Sequence, residues 1–141
     1  MLETRDVDAV LAIQCACPNI AQWSRDDYVR VAAGEMAGWV ADCHGGVEGF
    51  VVARRVVSDI EILNLAVLPE ARQKGTGSML LATAMDWGES WNARNAHLEV
   101  RASNAAAVRF YEHHGFENTG RRPRYYTAPT EDALLLTATI R

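Results

Sequence analysis

Two stretches of this chain have the residue types and spacing that chemistry requires. The first is Glu99, set in the short strand pattern His97–Arg101, with Tyr111 on the helix pattern that follows. Alternation places Leu98 and Val100 on one side of that strand and His97, Glu99 and Arg101 on the other. A carboxylate inside a strand flanked by helices is costly to bury without partners. It reads either as a strand glutamate paired with Arg101 or a neighbouring arginine, or as a general base. Tyr111 is either a core or rim tyrosine, or a donor whose hydroxyl protonates a leaving thiolate.

The second stretch is Arg72-Gln73-Lys74-Gly75-Thr76-Gly77, between the apolar run Ile60–Val67 and the helical pattern Ser78–Trp91. A strand ends, glycines turn the chain, and a helix begins whose first N–H groups have no partners within it. Gly75 and Gly77 let a bound group approach the backbone, and the helix dipole favours an anion there. The turn suits a pyrophosphate, with Arg72 and Lys74 adding full charges; a strand–helix junction that binds nothing has the same residues. A P-loop is excluded, because Lys74 precedes its glycine and no Gly-Lys-Ser/Thr follows. The three-glycine spacing of a dinucleotide fold is also absent.

Other reactive residues offer less. His113 and His114 are adjacent, lack metal-ligand spacing, and read as a solvated helix end. Cys15-Ala16-Cys17 is not a redox CxxC, and no cysteine lies on the glycine loop or the strands beside it, so no thiol nucleophile is expected. Arg121-Arg122-Pro123-Arg124 reads as a solvated edge strand, with phosphate contact a lesser reading. Tyr125 and Tyr126 are adjacent on a strand, so at most one should face a cleft.

The elements that must position these groups follow from periodicity. Asp6–Cys17 has a helical face of Val7, Val10, Leu11 and Ile13, closed by Pro18. Ser24 with Asp27 caps a second helix, Arg25–Ala33, which Gly34 ends. These helices and the link Pro18–Trp23 either line a cleft or cover one sheet face. Trp39–Cys43, the turn His44-Gly45-Gly46 and Val47–Val57 make a hairpin. Leu80, Ala84, Trp87 and Trp91 form the core stripe of the helix after the glycines, and Gly88 within it has no evident purpose. Ser103 caps the helix Asn104–His114, and Gly115 ends it. Phe116–Tyr126 and Ala133–Ile140 are closing strands joined by the loop Thr127–Asp132. Strands alternating with helices imply an α/β or α+β sandwich with a mixed sheet.

The chain has 141 residues and reads as one domain, residues 1–141. Its net charge of -4 argues against general nucleic-acid or membrane binding and is compatible with a cationic substrate. No apolar stretch is long enough to span a bilayer, and the first residues do not read as a signal peptide. Cys15, Cys17 and Cys43 cannot all pair, so free thiols in a reducing cytoplasm are expected.

Arg72–Gly77 resembles the acetyl-CoA motif of the GNAT N-acetyltransferases, Q/R-x-x-G-x-G/A. Leu98-Glu99-Val100-Arg101-Ala102-Ser103-Asn104, then Phe110-Tyr111, Gly115-Phe116, Arg121-Arg122 and Tyr125-Tyr126, resemble in order and spacing the RimI-like branch of that family. Asn64-Leu65-Ala66-Val67 is similar to its fourth strand. The resemblance implies a mixed, mostly antiparallel twisted sheet with helices on both faces (α/β/α layers) and a splay between the family's strands four and five. It implies acetyl-CoA as co-substrate, held by backbone at Leu65, Ala66 and Val67, by Arg72, Gln73, Lys74, Gly75, Thr76, Gly77 and Ser78, and by Asn104. Glu99 matches the family's general base, Tyr111 its general acid, and Tyr126 is placed to meet substrate. No metal is implied. The activity implied is acetylation of the N-terminal alanine of a small-subunit ribosomal protein in the cytoplasm, by a monomer or weak dimer. A small amine, such as a polyamine or aminoglycoside, and a CoA-binding module without turnover are the alternatives. Met1-Leu2-Glu3 leaves almost no first strand, Leu68 stands where an aspartate is common, and Pro123-Arg124 precedes the tyrosine pair.

Overall fold

The computed structural model describes residues 1–43, 45–127 and 129–140. Six strands form one sheet: β1 (Ala37–Cys43), β2 (Gly46–Val56), β3 (Asp59–Val67), β4 (Asn95–Arg101), β5 (Glu117–Thr127) and β6 (Thr130–Thr139). Their spatial order is β1-β2-β3-β4-β6-β5. Every neighbouring pair is antiparallel except β3 and β4, whose parallel register holds at Ile60–Ala96 and Glu61–His97 before the strands part. That opening is the expected splay. Among the described residues no strand precedes α1, and Leu2 N–H donates to the Gly38 carbonyl at 2.8 Å. The two strands expected to splay apart, four and five in the resembled family, are β3 and β4 here.

Helices cover both faces. On one side, α1 (Val7–Ala16) and α2 (Arg25–Ala32) bury Val10, Ile13, Tyr28 and Val31 against Phe50, Val52 and Ala66. On the other, α3 (Thr76–Ser90) and α4 (Ala105–His113) bury Leu80, Leu81, Ala84 and Tyr111 against Val51, Ile60, Leu98 and Leu136. Ser24 and Asp27 complete the expected capping box of α2, an arrangement worth roughly 0.5–2 kcal/mol. The purpose of Gly88 is now visible. A Cβ there would lie 3.0 Å from Ile60 and 3.1 Å from Ile140, so glycine lets α3 lie close on the sheet. An alanine there would need both isoleucine side chains to give by a few tenths of an ångström, a crowding that opposes the roughly 1 kcal/mol it would recover in helix propensity.

Several sequence expectations shift. Asn104, not Ser103, caps α4: its Oδ1 accepts from Ala107 N–H at 3.3 Å, while Ser103 bonds Glu131 through its hydroxyl and its backbone N–H. The loop expected at Thr127–Asp132 is shorter, because β5 runs to Thr127 and β6 starts at Thr130; Ala128 lies outside the described residues. His44, in the expected hairpin turn, also lies outside them, and Gly46 already pairs with Cys43. The tyrosine pair departs most. Arg122 opposes Ala133 and Tyr126 opposes Glu131, so residues 123–125 face a single partner residue, with Arg124 at φ 54°. This bulge breaks alternation, and both Tyr125 and Tyr126 reach the cleft.

Candidate active site

The parting of β3 and β4 makes two cavities that share a wall. One, of about 240 Å³, is bounded by the link between α1 and α2, by Glu61–Leu65, by Leu98–Arg101 and by Tyr125 and Tyr126. The other, of about 580 Å³, runs from Leu65–Val67 over the glycine loop to Phe110. Asn19, Ile20, Leu65, Asn104, Ala107 and Tyr111 line both. Bound groups can therefore meet from opposite sides along this shared wall.

Glu99 borders the smaller cavity. Its side chain is 19% exposed, and its Oε2 has no hydrogen-bond partner among the described residues. The nearest cation is Arg122, whose Nε lies 3.4 Å from Oε2 without hydrogen-bond alignment. The pairing with Arg101 considered from sequence does not occur. Arg101 binds Glu131 at 3.1 Å and lies over the Tyr126 ring at 4.3 Å. Glu99 thus keeps a lone pair for something else in the cavity. Tyr111 is buried between Phe110 and Phe116, with ring centroids 5.1 Å and 5.5 Å away. Burial pushes its hydroxyl well above the ordinary phenol range, so the proton stays on the oxygen until a strong base arrives. Tyr126 is pushed up to about 12, by burial first and by the charge of Glu99 second.

The larger cavity suits an elongated anion. Gly75, at φ 84°, is the N-cap residue of α3 and offers no side-chain cap, and no acidic residue sits in the first turn. The helix end is left for a ligand to satisfy. Leu65, Ala66, Val67, Arg72, Gln73, Gly75, Gly77, Ser78 and Asn104 all line this groove. Lys74 and Thr76 do not. Lys74 is turned toward Glu48 at 4.0 Å, and Thr76 is buried in the first turn. Arg72 lines the groove but is not free to meet an anion as a bare charge. Its Nε donates to the Val67 carbonyl at 3.2 Å, and its Nη2 lies 3.3 Å from the Cys17 sulfur.

Sequence reasoning missed Cys17 and Phe110, which line the groove, and His114, which bonds the groove residue Ser78. Cys17 is remote in sequence from the cofactor strands, but its thiol donates to the Val67 carbonyl at 3.5 Å. His114 is not a solvated helix end, because its Nε2 lies 2.9 Å from Ser78 Oγ. Phe110 packs on His114 with centroids 4.7 Å apart and covers Gly77, where a Cβ would come 3.4 Å from its ring. None has a sequence signal, since each depends on which helix end meets which strand exit. The link Pro18–Trp23 resolves toward both readings, because its residues line the cavities while α1 and α2 cover the sheet. No metal-binding cluster occurs among the described residues, and no helix of the described residues is long and apolar enough to cross a membrane.

The close fit of Phe110 over Gly77 makes that position a test of the groove. Gly77→Val should force Phe110 into it and weaken acetyl-CoA binding tenfold or more, roughly 1.4 kcal/mol, by calorimetry on the folded variant. Unchanged affinity would mean that the glycine serves only the packing of α3 on α4.

The model of the Acetyltransferase (GNAT) family matches residues 8–116. The ribosomal protein bS18-alanine N-acetyltransferase of Escherichia coli (strain K12) is 31% identical over 137 residues, 96% of this chain and 92% of that protein. An N-alpha-acetyltransferase of Sulfurisphaera tokodaii is 33% identical over 117 residues, covering 74% of this chain and 70% of that one. The crystal structure of the ribosomal-protein-S18-alanine N-acetyltransferase from Escherichia coli superposes with a TM-score of 0.86 at 30% identity, over 99% of this chain and 90% of the other. With a family match from the first helix to the end of α4, and relatives alike along nearly its full length, this chain belongs to the GNAT acetyltransferase family.

Proposed function

We propose that the chain transfers the acetyl group of acetyl-CoA to the N-terminal α-amine of a protein, and that its acceptor is the N-terminal alanine of a small-subunit ribosomal protein. The observation that carries this reading is the pair of cavities meeting at Leu65, Asn104 and Tyr111, with Glu99 on the acceptor side. The names of the relatives above supply the acceptor. GNAT acetyltransferases bind acetyl-CoA, and the uncapped start of α3 fits its pyrophosphate.

In this reading the co-substrate supplies a thioester carbonyl, and the chain's own residues do the rest. Glu99 takes a proton from the acceptor's α-ammonium, directly or through water. An α-amine with an ordinary pKa of about 7.7–8.0 needs only modest help. Backbone N–H near Leu65–Val67 polarises the carbonyl as the amine nitrogen bonds to its carbon. Tyr111 gives its proton to the sulfur as the C–S bond breaks. The second proton of the amine nitrogen, lost as the amide forms, restores the Tyr111 phenol directly or through water, and the carboxylate returns its own proton to solvent. This direct transfer routes no step through a cysteine; the Cys17 thiol donates to the Val67 carbonyl at 3.5 Å.

The test is competition kinetics with a peptide beginning Ala-Arg, spermidine and an aminoglycoside under one set of conditions. The peptide should have the highest kcat/KM, and blocking its α-amine should abolish turnover. A flexible amine on a long stem lacks the backbone groups that fix attack geometry. A win for spermidine or the aminoglycoside would refute the peptide acceptor and leave the acetyl-CoA half standing.

A further inference from the structure

A buried polar chain runs from the link between α1 and α2 to the wall of the acceptor cavity, and the catalytic reading does not use it. Gln14 of α1, Tyr28 of α2 and Asn64 of β3 are all more than nine-tenths buried. Backbone groups at one end fix the polarity of the whole chain. The Trp23 carbonyl can only accept, so it takes Gln14 Nε2–H at 2.9 Å; Trp23 N–H can only donate, so it meets Gln14 Oε1 at 2.9 Å. Gln14 Oε1 then accepts from the Tyr28 hydroxyl at 2.5 Å. The Tyr28 oxygen in turn accepts from Asn64 Nδ2–H at 3.1 Å. The other Nδ2–H goes to the Ala21 carbonyl, also at 3.1 Å, which a flipped amide could not satisfy.

Both N–H groups of Asn64 are therefore spent, and what it has left to present to the cavity it lines is its amide oxygen. The backbone is built to put it there. Val52 pairs with Asn64 and Ala53 with Ile62, so Leu63 is an extra residue in β3. Strict alternation would send Asn64 to the α3 side with Ile60 and Ile62. The bulge turns it toward Tyr28 instead.

We infer that Asn64 is an acceptor-binding residue, its amide oxygen receiving the N–H of the acceptor's first peptide bond, and that Tyr28 and Gln14 are the positioning residues that hold that oxygen in place. Register chooses this N–H. Leu65 is at the junction where the α-amine must react, and Asn64 is the next residue along the strand into the acceptor cavity. One strand residue spans about 3.3 Å, close to the step from an α-nitrogen to the next backbone nitrogen. The inference rests on the peptide-acceptor reading above and names a contact within it.

Two peptides beginning Ala-Arg test it, one normal and one with its first peptide bond replaced by an ester, which removes that single N–H. For each enzyme, kcat/KM is measured on both, or Ki by competition where the ester turns over slowly. Asn64→Ala should lose about tenfold on the amide peptide and less than twofold on the ester. Tyr28→Phe keeps the ring packed edge-on against Phe50 and should lose about fivefold on the amide alone, chiefly in KM. Neither change should alter acetyl-CoA affinity. Equal losses on both peptides would overturn the inference, leaving the network a structural clamp. Should Asn64→Ala fold poorly, Tyr28→Phe makes the same comparison by itself. No acetylation of the amide peptide by the unaltered enzyme would overturn the peptide reading and this contact together, whereas acetylation without coupling would overturn the contact only.

Discussion

Tyr111→Phe should lower turnover by about 10²-fold or more while acetyl-CoA binding stays within a few-fold. The ring is buried between Phe110 and Phe116, and phenylalanine preserves both contacts, so the change removes little besides a hydroxyl. Burial holds the phenol protonated through the working pH range, so in the proposed mechanism that hydroxyl still carries the proton it gives to the leaving sulfur. Without it the thiolate must leave unprotonated or find water in a narrow cavity. The measurement is single-turnover acetyl transfer with saturating co-substrate, which separates the chemical step from product release. A variant with full single-turnover rate would remove Tyr111 from the mechanism and return it to the core.

Glu99→Gln should lower kcat/KM for the peptide by a similar factor near pH 6.5, and the deficit should shrink as pH rises. The sign follows from the acceptor. Below about 7.7–8.0 the α-amine is mostly ammonium and cannot attack until a base removes its proton. Above that range solvent has already removed it, and the base has less to do. The glutamine is nearly isosteric, sits at the same edge of the cavity, and should leave acetyl-CoA affinity nearly intact. A profile parallel to that of the unaltered enzyme at every pH would show that Glu99 acts by shape or charge and takes no proton. Arg122, 3.4 Å from the carboxylate, sharpens the comparison, because the glutamine also loses that ion pair. The single variant Arg122→Gln separates the two effects: it should leave the pH-dependent deficit small if proton removal is the task of Glu99.

Much of this protein was legible in its residues because the information is local. The glycine turn, the capping box of Ser24 and Asp27, and the alternation around Glu99 each need only a few neighbouring residues and the backbone they prefer. Order and spacing along the chain, from Asn64 to Tyr126, were enough to resemble one family, and family membership and fold then followed. Local rules failed where an extra residue enters a strand. The bulges at Leu63 and at residues 123–125 reverse which side chains face the cleft, bringing in Asn64 and both tyrosines. Whether a strand accepts an extra residue is decided by its partner strand, and adjacent sequence carries no sign of it.

What the sequence by itself determined is the set of chemical groups and the turn that begins α3. The tertiary structure alone decided which of those groups share a space. Arg72 and Lys74 were candidates for one anion, yet Arg72 is drawn back to the Val67 carbonyl and Lys74 toward Glu48. Cys17 and His114, remote from the glycine loop in sequence, meet its walls because α1 ends against β3 and α4 ends against α3. The pairing of Glu99 passed from its neighbour Arg101 to Arg122, which β5 brings across the sheet, while Arg101 was claimed by Glu131. Charges and donors pair with whatever partner packing presents at hydrogen-bonding distance, and that distance is a property of the folded chain.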